Sequence, residues 1–250
     1  MRIAALYDIH GNLPALEAVL KEIEREEVDT IVVGGDIVPG PMSLEVLEVL
    51  QHMGDRVKWI RGNCEREVVE FFDGSPVNYI KSKEVRASME WTTMRMERRQ
   101  RDFMAGLPEK LSLHIDGVGE VLFCHGSPRS DMEILTEATS EERLRETLTG
   151  VKENVVVCGH THMQFERMCG GKRVVNAGSV GMPYGEPGAY WLLLGPDVRL
   201  RKTDYDLEAA AEQVRKTDYP VAQDFADNNI VKPEIAQEAV EYFEKMAARS

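Results

Sequence analysis

The chain has 250 residues, with 43 Asp and Glu against 30 Lys and Arg, for a formal charge of −13. No apolar run approaches the roughly 20 residues that span a bilayer. The opening run stops at Asp8 with no small-residue cleavage site after it, so neither a membrane span nor a signal peptide is expected. The charge argues against long nucleic acid and acidic membrane surfaces as partners, and leaves room for a small anionic substrate only if the site carries its own positive charge.

Taken in chain order, Arg2 to Tyr7 reads as a buried strand, and Leu13 to Glu26 as a helix with Leu13, Leu16, Val19, Leu20 and Ile23 on one face. Thr30 to Val33 is a second strand. Ser43 is placed to N-cap a helix over Leu44 to Met53, and Val57 to Ile60 is a third strand. This order predicts a mostly parallel sheet with covering helices. Glu84 to Ala105 has a charged helical pattern. Three hairpins are expected next, around Asp116-Gly117-Val118-Gly119, Gly170-Gly171 and Gly195-Pro196-Asp197, with an apolar strand over Val155 to Cys158. From Asp204 to Ser250 the pattern is helical, with 5 basic and 11 acidic residues, or −6. A parallel start and a hairpin-rich continuation are both satisfied by two packed sheets with helices outside. Cys64, Cys124, Cys158 and Cys169 form no CxxC pair, which fits free thiols in a reducing cytoplasm.

Polar residues fall at the carboxyl ends of these strands, where α/β sheets bind ligands. The first strand ends in Asp8-Ile9-His10, the second in Gly34-Gly35-Asp36, and the third in Arg61-Gly62-Asn63. Two later strands end in His125-Gly126 and Gly159-His160-Thr161-His162. In extended chain, residues i and i+2 share a side, so Asp8 and His10, and again His160 and His162, can face one point. Imidazole, carboxylate and amide oxygen suit Mn²⁺, Fe, Zn²⁺ or Ni²⁺ better than a soft thiolate site does. Asp8, His10, Asp36, Asn63, His125, His160 and His162 are seven candidate ligands, too many for one tetrahedral ion. Each element alone is as well explained by a helix cap or a turn. Five in order, each after an apolar strand, are not.

As a set these residues resemble the calcineurin-like metallophosphoesterase superfamily, whose motif series is DxH, GD, GNH(D/E), H and GHTH. The likeness covers roughly residues 1 to 200 and is nearest to small prokaryotic phosphodiesterase and diadenosine tetraphosphatase-like members, through DIHGNLPALEAVL and VVNAGSVGMP. The resemblance implies a four-layer α-β-β-α sandwich of two mixed sheets, expected over 1–205, and the acidic helical stretch over 206–250 is expected to pack on the same domain as an extension. It implies two divalent ions, Mn²⁺ first, with Fe, Ni²⁺, Zn²⁺ or Mg²⁺ as alternatives. Asp8, His10, Asp36 and His162 would hold one ion, and Asp36, Asn63, His125 and His160 the other. Asp36 bridges them, and a bridging hydroxide is the nucleophile.

Within that resemblance Asp36, Asn63, His125 and Cys64 are the catalytic candidates. Cys64 stands where many members carry a His that protonates the leaving group, and a thiol is a poorer acid near neutral pH. This predicts good leaving groups or an acid from elsewhere. Asn12, Arg61 and Arg66 are candidate substrate contacts. Against that, Asn12 also reads as the cap of the helix at Leu13, and the arginines as partners of Glu65 or Glu67. The expected activity is hydrolysis of a small phosphate ester or nucleotide, a phosphodiester first, because no basic monoester pocket is evident. Monoester and dinucleoside polyphosphate hydrolysis are the alternatives on the same site, and a non-catalytic binding scaffold is the alternative from another class. Oligomeric state has no signature.

Overall fold

A computed structural model describes residues 1–77, 80 and 82–248 of the chain. The last two residues of the 206–250 extension therefore lie outside the described residues. The apolar runs become short strands whose alternate side chains are buried on both faces. In β1 (Ile3–Leu6) and the residue after it, Ile3, Ala5 and Tyr7 point into one apolar cluster, while Ala4 and Leu6 point into another. That period of two places β1 in the interior of a layered structure.

Two five-stranded mixed sheets result. β1 lies parallel to β2 (Thr30–Val33), which lies parallel to β3 (Val57–Trp59). On its other side β1 pairs antiparallel with β9 (Ala189–Leu194), and β9 with β10 (Val198–Thr203). The second sheet runs in the order β4 (Lys110–Ile115), β5 (Gly119–Cys124), β6 (Val155–Cys158), β8 (Lys172–Asn176), β7 (Phe165–Cys169). In it β5, β6 and β8 are parallel, and β4 and β7 join as hairpins. The three glycine-marked hairpins are where the turn residues placed them.

Ile3, Ala5, Val32, Phe123, Val157 and Leu192 are among the residues that fill the space between the sheets. Outside the first sheet pack α1 (Leu13–Arg25), α2 (Ser43–His52), α3 (Asn63–Phe72), α4 (Lys83–Arg95) and α5 (Arg98–Ala105). Outside the second packs α6 (Glu141–Thr147), through Leu144. These are the four expected layers, α-β-β-α. Beyond β10, α7 (Leu207–Arg215), α8 (Ala222–Phe225), a π-helical turn (Ala226–Val231) and α9 (Ala236–Ala247) follow. The first three share an apolar cluster of their own, against which Met42, Trp91 and Met182 pack. On α9, Glu244 accepts hydrogen bonds from Thr136 Oγ1 (2.5 Å) and Thr139 Oγ1 (2.9 Å).

Two local expectations are corrected. Ser43 is the first residue of α2 rather than its cap: its hydroxyl donates to the Gly40 carbonyl (3.0 Å), and the cap position is Met42. The helix expected over Glu84 to Ala105 is two helices. Met96 and Glu97 are extended (ψ 133° and 158°), and Gln100 Oε1 accepts from Glu97 N (2.8 Å) to start α5 afresh. A capping box overrides helical periodicity that continues through it.

Candidate metal centre

Parallel strands bring their carboxyl ends to one edge, and both sheets present that edge to the same place. Asp8 and His10 follow β1, Asp36 follows β2, and Asn63 opens α3 just after β3. His125 follows β5, and His160 and His162 follow β6. All seven residues, far apart in sequence, meet there. His162 Nε2 lies 3.4 Å from Asp8 Oδ1 and 3.3 Å from His10 Nε2. Asp36 Oδ2 lies 3.3 Å from His125 Nε2 and 3.8 Å from His10 Nε2. Asp8 Oδ1 also stands 3.8 Å from His125 Nε2. Ligand atoms within 4.8 Å of one another fall into overlapping groups: Asp8, His10 and His162; His10, Asp36 and Cys64; and Asp36, His125 and His160.

The backbone is bent to make this convergence. Asp8, His10, Asp36, His160 and His162 have φ of 53°, 45°, 55°, 67° and 59°, and among the described non-glycine residues only Glu27 (51°) joins them in the left-handed region. Each such residue costs on the order of 1 kcal/mol or more and persists only where its surroundings enforce it. The enforcing bonds are visible. The Asp8 carbonyl accepts from Ser179 Oγ (2.6 Å) and Gly181 N (3.1 Å). Asp8 Oδ2 accepts from His160 N (2.9 Å), and Asp36 Oδ1 from Cys64 N (2.9 Å). Gly62 must be glycine, because a Cβ there would stand 2.2 Å from Asp36 Oδ1.

The ring orientations are set from behind. His125 Nδ1 faces the Gly34 carbonyl (2.9 Å) and His162 Nδ1 the Met182 carbonyl (2.8 Å), so each turns Nε2 toward the cluster. Asn63 Nδ2 is directed at Glu67 Oε1 (3.5 Å), which leaves Asn63 Oδ1 to face inward. Asp8 Oδ1, Asn63 Oδ1 and His125 Nε2 are buried with no hydrogen-bond partner. Such atoms are costly in an interior. Here they are ligand-type atoms of one cluster, so the residues present fit a divalent-cation site.

The electrostatics agree. Burial alone would lift Asp36, but the His125 imidazole beside it reverses this and holds the carboxyl well below its ordinary range. Asp8 is held low in the same way by His162. Burial works against the charge on His125, yet Asp36 pushes it up to about 10. Burial and a neighbouring imidazole push His10 and His160 down to about 4. The two carboxylates thus demand positive charge at their centre. Burial, and then Asp36, push the Cys64 thiol up, so it is neutral and unsuited to act as a thiolate nucleophile.

The candidate substrate contacts are placed differently. Asn12 caps α1 through Oδ1 (3.2 Å from Ala15 N), while Nδ2 donates to the Gly181 carbonyl (3.0 Å) and toward Tyr205 Oη (3.3 Å). Fully buried and spent at both ends, it has no atom left for a phosphate. Arg61 pairs with Glu109 (2.9 Å) rather than with Glu65 or Glu67. Arg66 pairs with Asp131 (2.8 Å) and approaches Glu67 (3.9 Å). Both arginines line a pocket of ≈ 180 Å³ that also touches Lys110, His125 and Arg129. The larger cleft, ≈ 400 Å³, has His10, Asp36, Asn63, Cys64, His160 and His162 along one side.

Four residues have roles that the sequence reading missed. Glu65, fully buried, accepts from Asp36 N (2.8 Å), Ile37 N (2.7 Å) and Gly62 N (2.8 Å), and so ties the turns after β2 and β3 together. Its place as the acidic residue that closes the Gly62-Asn63-Cys64-Glu65 motif is the signal the sequence offered. Asn176 Nδ2 donates to the Gly159 carbonyl (2.8 Å) and Ser179 supports Asp8, so the segment after β8 braces the site. Tyr184 lies tilted beside the His162 ring (centroids 6.0 Å, 35°) and edge-on to Phe243 of α9 (5.9 Å, 82°).

Comparison with known proteins adds to this geometry. Residues 1–195 match the model of the calcineurin-like phosphoesterase superfamily domain. A symmetrical bis(5'-nucleosyl)-tetraphosphatase of Baumannia cicadellinicola is 26% identical over 138 residues, 54% of this chain but only 46% of the relative's length. The phosphodiesterase YfcE of Escherichia coli is 25% identical over 204 residues, covering 77% of this chain and 87% of the relative. The crystal structure of a metallophosphoesterase from Sphaerobacter thermophilus superposes with a TM-score of 0.70 at 25% identity, over 90% of this chain and 99% of that one.

Proposed function

We propose that this chain, which belongs to the calcineurin-like phosphoesterase superfamily and is a phosphoric ester hydrolase, cleaves a small phosphodiester at a centre of two divalent ions. The observation that carries the reading is the set of buried, unpartnered ligand atoms at converging strand ends. Asp8, His10, Asp36 and His162 would hold one ion, and Asp36, Asn63, His125 and His160 the other. When bound, two such ions supply Lewis acidity at the phosphoryl oxygens and an activated water for in-line attack.

The chain's own part is to bind, orient and exclude. Asp36 would be shared between the two half-sites and so would set their spacing. His125 and His162 are held by main-chain carbonyls, so their Nε2 atoms need no reordering on binding. The +4 of the ions answers the demand for local positive charge in a chain of −13. A diester is favoured over a monoester because no Lys or Arg is among the described residues lining the larger cleft, and a monoester dianion would need more positive charge. Mn²⁺ is the first candidate for the ion, given the mixed imidazole, carboxylate and amide donors. The free cysteines fit a cytoplasmic enzyme.

The test is hydrolysis of bis-p-nitrophenyl phosphate with Mn²⁺. Asp36→Ala and His160→Ala should each lower kcat/KM by roughly a thousandfold or more, about 4 kcal/mol of transition-state stabilisation. With Cys64 in place of an acid, wild-type rates should fall steeply as the leaving group becomes more basic. Wild-type rates in either alanine variant would defeat the reading.

A further inference from the structure

The far wall of the larger cleft is not made by the region that matches the family model. That region ends at residue 195, whereas Tyr219, Val221, Asp224, Phe225 and Asn229 all lie beyond it and all face the cleft. They come from α8, the residues just before it and the π-helical turn. A π-turn is a rare element, frequently found at functional sites. Facing them from α4 are Glu84, Val85, Ser88 and Met89.

This wall is anchored. Tyr219 packs edge-to-face on Trp91 of α4 (5.1 Å, 80°) and on Phe225 (6.2 Å, 87°). Arg95 lies over Trp91 at 4.0 Å and forms an ion pair with Asp218. One aromatic contact, Tyr219 on Trp91, and one ion pair, Arg95 with Asp218, thus join the C-terminal segment to α4.

The chemistry of the cleft is one-sided. Away from the ligand cluster its surface is apolar, from Val85, Met182, Val221 and Phe225, and it is acidic, from Glu84 and Asp224. Among its described lining residues there is no Lys and no Arg. Val85 is 41% exposed, an apolar surface left open at the mouth. The cations near the centre lie instead in the smaller pocket, where Arg61 and Arg129 are already paired with Glu109 and Glu133.

Resting on the phosphodiester reading above, we infer that the segment 219–229 selects the substrate. The cleft takes an ester with one phosphate and an apolar-bodied organic group that is uncharged or cationic, and rejects di- and polyphosphates. Within this cleft, each phosphate beyond the one at the ligand cluster would lie against Glu84 or Asp224, with no Lys or Arg among the described lining residues to offset it. A positively charged group would meet those carboxylates.

The experiment compares p-nitrophenyl phosphorylcholine, thymidine 5'-(p-nitrophenyl phosphate) and diadenosine tetraphosphate with the Mn²⁺-loaded full chain, in wild type and Asp224→Lys. Metal content is measured on each sample. Wild type should process both single-phosphate esters at least about a hundredfold faster than the tetraphosphate, the scale of an unfavourable like-charge juxtaposition. Asp224→Lys, at unchanged metal content, should shrink the ratio of choline ester to tetraphosphate by about tenfold or more, chiefly through KM. A tetraphosphate cleaved fastest, or a ratio indifferent to Asp224→Lys, overturns the inference. Calorimetric binding of phosphorylcholine against adenosine tetraphosphate gives a readout without turnover. If no ester is hydrolysed the phosphodiester reading falls, and the binding preference still decides what the cleft takes.

Discussion

At the scale of single residues, the site depends on backbone that side-chain chemistry does not announce. Five candidate ligands hold left-handed φ values, and each is held there by bonds from elsewhere in the chain. Gly62 shows how little slack remains. A methyl group at that position would meet Asp36 Oδ1 at 2.2 Å, with Asp36 N at 2.8 Å behind it. Gly62→Ala should therefore displace the Asp36 carboxylate and weaken Mn²⁺ binding by roughly 10–100-fold, the range seen when a ligand loses its support. Isothermal titration checks it, and unchanged affinity would mean that Asp36 is not held as described. The types and spacing of all seven candidate ligands were legible in the sequence. Their left-handed conformation was not, because it is imposed by partners such as Ser179, which lies 171 residues from Asp8. Asn12 was ambiguous between substrate contact and cap, and its two buried hydrogen bonds decide for the cap.

At the scale of elements, period-two burial and glycine-marked turns carry the strands, and those features are local. The hairpins β4–β5, β7–β8 and β9–β10 need only neighbouring residues to be recognised. The break between α4 and α5 was hidden, because no Gly or Pro marks it and the helical pattern runs on. The partners of Arg61 and Arg66 were hidden too, since Glu109 and Asp131 lie on segments distant in sequence.

The loop between β5 and α6 offers a test of its own. Glu133 accepts from Ser127 Oγ, from Arg129 and from Thr147 Oγ1 (3.2 Å). Burial alone would raise its pKa, but Arg129 and Ser127 more than offset this and hold it below its ordinary value of 4.5. A carboxyl depressed on folding adds stability above its unfolded pKa, and that stability is lost as pH falls through the folded value. Because Arg129 is half exposed and screened, Glu133→Gln should cost only ~1 kcal/mol at pH 7. The gap from wild type should narrow as pH falls below the ordinary 4.5 of Glu133, in denaturant melts followed across pH. A gap that does not narrow in acid would show that Glu133 acts by packing rather than by charge.

At the scale of the whole molecule, two sheets aim their carboxyl edges at one point, and a C-terminal segment closes the cleft in front of it. The sequence reading assigned that acidic segment no role, because nothing local links residues 219–229 to His10 or Asp36. The link is made through Trp91 and Tyr219. The net charge of −13 takes on a local meaning in this arrangement. Asp8 and Asp36 concentrate negative charge where cations would be held, and Glu84 and Asp224 place it where a second phosphate would otherwise fit. The central claim is that Asp36 joins two cation sites into one centre. Its most direct measurement is Mn²⁺ stoichiometry on chelator-treated chain, by calorimetry with metal analysis, in wild type and Asp36→Ala. We expect two ions per chain in wild type and fewer than one in the variant. A single ion in wild type, or two retained in Asp36→Ala, would contradict the account.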